Sequence, residues 1–224
     1  MDDSYIKAVE NCRLKLPKNK LVPEKSTNLE KFINHKNKIL FAAKGPSLNA
    51  IHKFSSFVNY ATVNEACCKI KTAIRFAFFF DKNALMNSAE AWDRIEHFVM
   101  PSYLFDDGLD APPVAVASIV NLPQEKIIFF EKDQDEFETN AIIKKINNDE
   151  LLTIDTAIMG LHFLTLYGFK EIFLLGHDGG FGYADDVPCL SRERNMQGFR
   201  ERIEFCSKEL TKKHEATIKF YGEK

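Results

Sequence analysis

The sequence predicts an α/β fold, an open, doubly wound and mostly parallel sheet within a single domain. Three observations predict it. Short apolar runs recur as continuous stretches rather than alternating ones, which is how strands buried on both faces of a parallel sheet read. These runs alternate with segments of helical spacing, the rhythm of βαβ units. Phenylalanine accounts for 20 of the 224 residues, many of them inside the runs, as at Phe78-Phe79-Phe80 and Phe129-Phe130, so the core is substantial.

Along the chain, residues 1–37 are polar and Lys/Asn-rich, punctuated by Pro17 and Pro23, and read as an N-terminal helical extension. Residues 38–224 read as the doubly wound α/β domain of Rossmann type that the rhythm implies. The run 38–43 (KILFAA) is the first strand. It is broken by Lys44-Gly45-Pro46-Ser47, and residues 48–54 have helical spacing. Residues 58–63 form a second strand ending at Asn64-Glu65, and residues 73–80 a third ending at Asp81-Lys82-Asn83. Residues 84–97 read as a helix carrying Trp92, the single tryptophan. A loop rich in Asp, Gly and Pro follows at 106–113, then strand-like stretches at 114–120 and 126–131. Residues 150–166 have helical periodicity, with Gly168 placed to end the helix. Residues 170–175 (KEIFLL) are a buried strand, 176–194 a Gly/Asp-rich loop, 196–213 an amphipathic helix and 217–221 a last strand.

Composition narrows the function. Lys plus Arg number 30 against 32 Asp plus Glu, a net charge of -2, so there is no global basic field and nucleic acid is not the expected partner. The five cysteines form no CxxC pair, which argues against both a zinc site and a disulfide framework and for a reducing compartment. The first residues lack the basic start and apolar centre of a signal peptide, and no window reaches the roughly 18 apolar residues of a membrane span. The expected location is the cytoplasm, with peripheral membrane association and homo-oligomerisation left open.

In open α/β sheets ligands bind beyond the carboxyl ends of the strands, near the reversal of strand order. That rule selects Lys44, Gly45, Pro46 and Ser47 after the first strand, and Asn64 after the second. It also selects Asp81 or Asn83 after the third, and the loop from Gly176 through His177 and Asp178 to Tyr183. Gly45 would let backbone approach a ligand, Pro46 would fix the turn, and Ser47 would cap a helix whose N–H groups face an anion. The alternative is a capped turn without ligand, since the loop is neither GxGxxG nor a Walker loop. Asn64, Asp81 and Asn83 carry the same ambiguity, each being a good helix cap. The glycines after residue 175 indicate a mobile loop or close backbone approach. His162 reads as a core residue, and His35, His52, His97 and His214 as solvated ones.

Three segments together resemble one family group. FAAKGPSL (41–48) resembles the GxGPSL signature of the bacterial sialyltransferases of glycosyltransferase family 42, with Lys44 and Ala43 departing from Asn and Gly. Val63-Asn64-Glu65 is similar to that family's strand ending in Asn. YGFKEIFLLGHD (167–178) resembles LGYKEIYLSGxD, and Tyr183-Ala184 a Tyr-Ala pair in the lid. The MptE-like proteins share the GPSL and GYKEIYLxGxD segments.

The sialyltransferase resemblance implies a Rossmann-like, GT-A-like fold, a CMP-sugar donor, a glycan acceptor and metal-independent transfer with inversion. It implies donor contacts from Gly45, Pro46, Ser47 and Asn64, and from Asp81 or Asn83. A nucleotide-binding Thr-Ser-Gly falls on Asp155-Thr156-Ala157, retaining only the hydroxyl of Thr156. Tyr183 would assist phosphate departure from a short lid over 177–195. The family's lid His has no counterpart, because residues 184–195 (ADDVPCLSRERN) contain none. That leaves His177, Asp185 or Asp186 as the general base. The expectation is thus a cytoplasmic glycosyltransferase of surface-glycan assembly needing no cofactor. The rivals are an MptE-like diphosphokinase using Mg²⁺ near Asp81, Asp155 or Asp178, and a non-catalytic nucleotide-binding protein.

Overall fold

The structure, a computed structural model, describes residues 38–57, 59–101, 103–104, 114–115, 122–130, 137–179, 182–188 and 198–221. The expected extension over 1–37 lies outside them, as do Val58, the 106–113 loop and the parts 180–181 and 189–195 of the expected lid.

Strands β1 (Lys38–Ala42), β2 (Tyr60–Val63), β3 (Ile74–Phe78), β4 (Ile95–Pro101), β7 (Ile127–Phe130), β8 (Glu171–Leu175) and β9 (Thr217–Phe220) form one sheet. Its order is β7-β4-β3-β2-β1-β8-β9, and every neighbouring pair is parallel. The parts of the runs at 39–42, 58–63, 74–80 and 172–175 that β1, β2, β3 and β8 hold are thus parallel neighbours in one sheet, as expected. Two short strands, β5 (Tyr103–Leu104) and β6 (Val114–Ala115), pair antiparallel apart from it. The expected strand at 114–120 is therefore not in the main sheet where the structure describes it.

Apart from edge strand β9, whose Thr217 and Lys219 are exposed, the strands of this sheet present alternate side chains to two separate cores. Ile39, Phe41, Phe76 and Phe78 pack on one face against α2 (Thr139–Asn147), α3 (Thr156–Leu166) and α4 (Phe199–His214) through Ile142, Ile158, Leu161 and Ile203. Leu40, Ala42, Ala77 and Phe98 pack on the other with Leu48 and Leu85. Leu85 comes from α1 (Lys82–Asn87), and Leu48 from a 3-10 helix over Pro46–Phe54. Side chains buried on both faces explain the continuous apolar runs and the phenylalanine content.

Helix α3 is buried from Ala157 to Thr165, so its sequence is apolar all round rather than striped. Gly160 lets it approach the sheet, because a Cβ there would meet the Phe41 and Phe78 rings. Its end follows the Schellman pattern. Gly168 (φ +98) donates to the Thr165 carbonyl and Phe169 to that of Leu164. This is the role expected of Gly168.

The 84–97 helix is corrected. The segment holds α1, a 3-10 helix over Ala89–Arg94 and then interior strand β4. Polar Glu96 and His97 mask the strand's alternation, and His97 is not solvated but stacks on Phe76 at 5.5 Å. His214 is also shielded, its ring 5.9 Å from that of His162. Helix α2 has no counterpart in the sequence reading. Among the described residues, no helix is long and apolar enough to cross a membrane.

Candidate functional site

Strand β1 has β2 on one side and β8 on the other. The chain moves outward through β2, β3 and β4 and returns to the far side of β1 with β8, so strand order reverses between β1 and β8. The carboxyl ends at this reversal are Ala43–Ser47 and Gly176–Asp178, the two segments selected from sequence.

These segments clamp each other. Ala43 N–H donates to the Leu175 carbonyl at 2.7 Å and Gly45 N–H to that of Gly176 at 2.8 Å. Gly176 N–H donates to Ser47 Oγ at 2.7 Å, and Ser47 N–H to the Asp178 carboxylate at 2.8 Å. The expectation that Ser47 caps its helix over an incoming anion is corrected. The 3-10 helix has Gly45 at its cap without a side-chain bond and Pro46 in its first turn, and the anion at its start is Asp178's own carboxylate. A carboxylate two residues beyond Gly176 reaches the Ser47 N–H and is stabilised there.

The clamp also explains both glycines. A Cβ on Gly45 would overlap the Asp178 carboxylate and the Gly176 carbonyl. A Cβ on Gly176, at φ +76, would overlap the Ala43 carbonyl. Gly176→Ala is expected to lower stability by about 1–3 kcal/mol from backbone strain alone, before any shift of Ala43. Urea unfolding of the variant at wild-type stability would show that the two strand ends do not meet this closely.

Above the clamp is a cavity of about 240 Å³ lined by Ala43, Lys44, Gly45, Val63, Asn64, Asp155, Thr156, Ala157, Gly176, Gly179, Gly182, Tyr183, Phe199 and Arg202. Seven of the expected site residues meet here, brought from β1, β2, β8, α3 and the following loop. Asn64 is buried at φ 51, an unusual conformation for a residue other than glycine. The 3-10 helix over Asn64–Lys69 has no side-chain cap, and Asn64 Oδ1 has no hydrogen-bond partner among the described residues. Lys44 Nζ pairs with buried Glu65 at 2.8 Å and lies 5.0 Å from the centre of the Tyr183 ring.

Asp155 caps α3, its Oδ1 accepting from Ile158 N–H at 2.8 Å. Its Oδ2 is buried without a hydrogen-bond partner among the described residues. Burial pushes its carboxyl above the usual range, against the opposing pull of the Ile158 N–H and the Arg202 charge. Arg202 comes from the inward edge of α4. Its guanidinium carbon lies 5.8 Å from the centre of the Phe137 ring, and its Nε has no hydrogen-bond partner among the described residues.

Other expected residues are elsewhere. Asp81 caps α1, accepting from Ala84 N–H at 2.7 Å, and Asn83 is in that helix's first turn. Pro46, Ser47 and Asp178 support the cavity without lining it. His177 is buried with its ring 4.8 Å from Phe41, and burial lowers its pKa to about 3. Asp185 is turned away toward Asn49. Its N–H donates to Asn49 Oδ1 at 3.0 Å, and Asn49 Nδ2 donates to its Oδ2 at 3.1 Å. Asp186 lies 3.9 Å from Lys69 at the surface. Of the two readings of the glycine-rich loop, close approach is what Gly176 and Gly179 display, since a Cβ on Gly179 would meet Arg200. Among the described residues, no three His, Cys, Asp or Glu side chains gather where a metal ion could sit.

Sequence reasoning missed Arg202 and Phe199. Both belong to the expected 196–213 helix, where an amphipathic reading assigns charge to the solvated face. The available signal was spacing: Phe199, Arg202, Ile203, Cys206 and Leu210 share one side.

No family model matches the chain, and no curated protein does. Among solved structures, the chain is similar to the sialyltransferase CstII from Campylobacter jejuni in complex with the substrate analogue CMP-3FNeuAc. The identity is 12%, the match covers 82% of this chain and 80% of that one, and the TM-score is 0.46. It is similar to the monofunctional α-2,3-sialyltransferase Cst-I from Campylobacter jejuni at 12% identity, covering 92% and 79%, with a TM-score of 0.48. A mammalian sialyltransferase is similar at 15% identity, covering 100% and 87%, with a TM-score of 0.46. At such values the site has to be read from its own residues. The topology and the cavity together define a Rossmann-like α/β protein with a cavity at its switch point.

Proposed function

We propose that this protein is a nucleotide-sugar-dependent glycosyltransferase of sialyltransferase-like type, using a CMP-activated donor. One observation carries the reading. Three buried polar atoms, Asn64 Oδ1, Asp155 Oδ2 and Arg202 Nε, lack hydrogen-bond partners among the described residues, and all three residues line the switch-point cavity. Buried polar groups without partners are costly and uncommon, so a polar ligand completes the site. Arg202 and Lys44 supply positive charge for a phosphate, and Asn64 accepts from a hydroxyl or amine of the sugar or base. Among ligands of that description, the resemblance of Val63-Asn64-Glu65 and Tyr183-Ala184 to the sialyltransferases favours a nucleotide sugar.

The reaction would be an inverting displacement. An acceptor hydroxyl attacks the anomeric carbon, and the bond to phosphate oxygen breaks with its electron pair leaving on the nucleoside monophosphate. Tyr183 hydroxyl would donate to that phosphate as charge develops, with Arg202 adding electrostatic stabilisation.

The test is thermal shift with CMP, CTP, UDP and GDP. A cytidine nucleotide at ~100 times its Kd should stabilise the fold by roughly 2.7 kcal/mol. Arg202→Ala and Asn64→Ala should each weaken that binding by about tenfold or more, the loss of one charge-assisted or buried hydrogen bond. Absence of a shift for all four nucleotides would remove the donor reading.

A further inference from the structure

Transfer to a hydroxyl requires a group that accepts its proton, and the sequence left three candidates. The structure turns each away from the cavity. The His177 ring is buried against Phe41 and does not line it, Asp185 is bonded to Asn49, and Asp186 is at the surface near Lys69. Among the cavity-lining residues one carboxylate remains.

Resting on the transferase reading above, we propose that Asp155 is the general base of this site, its Oδ2 taking the proton from the acceptor hydroxyl. The two oxygens of this carboxylate have different tasks. Oδ1 is committed to the Ile158 N–H, which fixes the side chain at the start of a rigid, fully packed helix. Oδ2 has no hydrogen-bond partner among the described residues, and Asp155 is part of the cavity wall. Such a group holds its orientation without substrate and meets a donor only when one enters.

The electrostatics fit the task. Facing Asp155 from α4 are Arg202, whose charge favours the carboxylate, and Cys206, whose thiol is pushed up to about 12 by burial and by the Asp155 charge. Burial raises the Asp155 carboxyl above an ordinary aspartate and makes it a better base, while Arg202 keeps the ionised form accessible. The step balances. The hydroxyl proton moves to Oδ2, the oxygen's electron pair forms the new bond to the anomeric carbon, and the nucleoside monophosphate leaves with the pair of the broken bond. Asp155 then loses its proton to water.

Asp155→Asn separates this role from a structural one, because Asn is an equally good helix cap and can still accept from Ile158 N–H. Melting temperature, CMP-induced thermal shift and turnover of a CMP-activated sialic acid with a trisaccharide acceptor would be measured on each protein. The variant should keep its melting temperature and CMP shift and lose roughly 10²–10⁴ in kcat. The acidic limb of the wild-type kcat–pH profile should disappear with it. Asp155→Ser, also a cap former, should show the same loss.

Equal kcat in variant and wild type would overturn the assignment, as would a loss of CMP binding that accounts for the whole fall in turnover. A wild type that binds CMP but turns over no donor also overturns it. A wild type that does not bind CMP overturns instead the transferase reading on which the assignment rests.

Discussion

Tyr183→Phe is expected to lower kcat by roughly 10²–10³ while leaving the melting temperature nearly unchanged, the loss produced by removing one preorganised donor to developing charge. The ring and the hydroxyl of Tyr183 have separable surroundings. Lys44 Nζ sits 5.0 Å from the ring centre, a cation–π contact that phenylalanine retains. The backbone beside it is fixed, with Ala184 N–H donating to the Lys44 carbonyl at 2.8 Å and Lys69 Nζ to the Asp185 carbonyl at 2.6 Å. Substituting Phe therefore removes the hydroxyl and little else.

Both quantities have to be read on the same preparation. If Tyr183 acts only by packing, the substitution lowers the melting temperature by a few degrees for each kcal/mol lost and leaves turnover per folded molecule intact. Unchanged turnover would end the catalytic role. An equal fall in the CMP-induced shift would move Tyr183 from leaving-group stabilisation to ground-state binding.

Most of the sheet was legible because its strands are buried on both faces and so read as unbroken apolar runs. The carboxyl-end rule then found Gly45, Asn64, Gly176 and Tyr183. What escaped did so for identifiable reasons. Strand β4 carries Glu96 and His97 within its first three residues, and its start merges with the helical spacing before it. The Ser47–Asp178 bond joins residues 131 positions apart, so spacing could not show that the first loop's anion comes from the protein itself. Arg202 lies beyond a long loop, on a helix whose charges read as solvated. Local pattern gives the elements and where the loops lie. Which polar groups in those loops bind each other, and which remain for a ligand, is decided by contacts distant in sequence.

Stability should fall steeply between about pH 6.5 and pH 4.5, and two buried imidazoles are the cause. His162 and His177 are 0% and 2% exposed, and burial lowers both to about 3. His162 Nδ1 accepts from Leu152 N–H at 3.1 Å, so its unprotonated form is built into the fold. The surroundings reinforce this, with His214 facing His162 and the Arg200 charge facing His177. Above pH 6.5 both histidines are neutral in folded and unfolded chains and contribute no pH dependence. Below it the unfolded chain takes up protons that the native state refuses, and each group removes about 1.36 kcal/mol per pH unit. Together they give a slope of about 2.7 kcal/mol per unit, or about 5 kcal/mol over two units, comparable with the whole net stability of a typical domain. Asp155 acts in the opposite sense, since its raised native pKa recovers some stability as acid protonates it. Urea unfolding at intervals from pH 7.5 to pH 4.5 measures the slope. His162→Gln should reduce it by about half whatever its effect on absolute stability, because one of the two refused protons no longer exists. A flat profile across this range would mean that both imidazoles titrate as they do in water and are not sealed within the core.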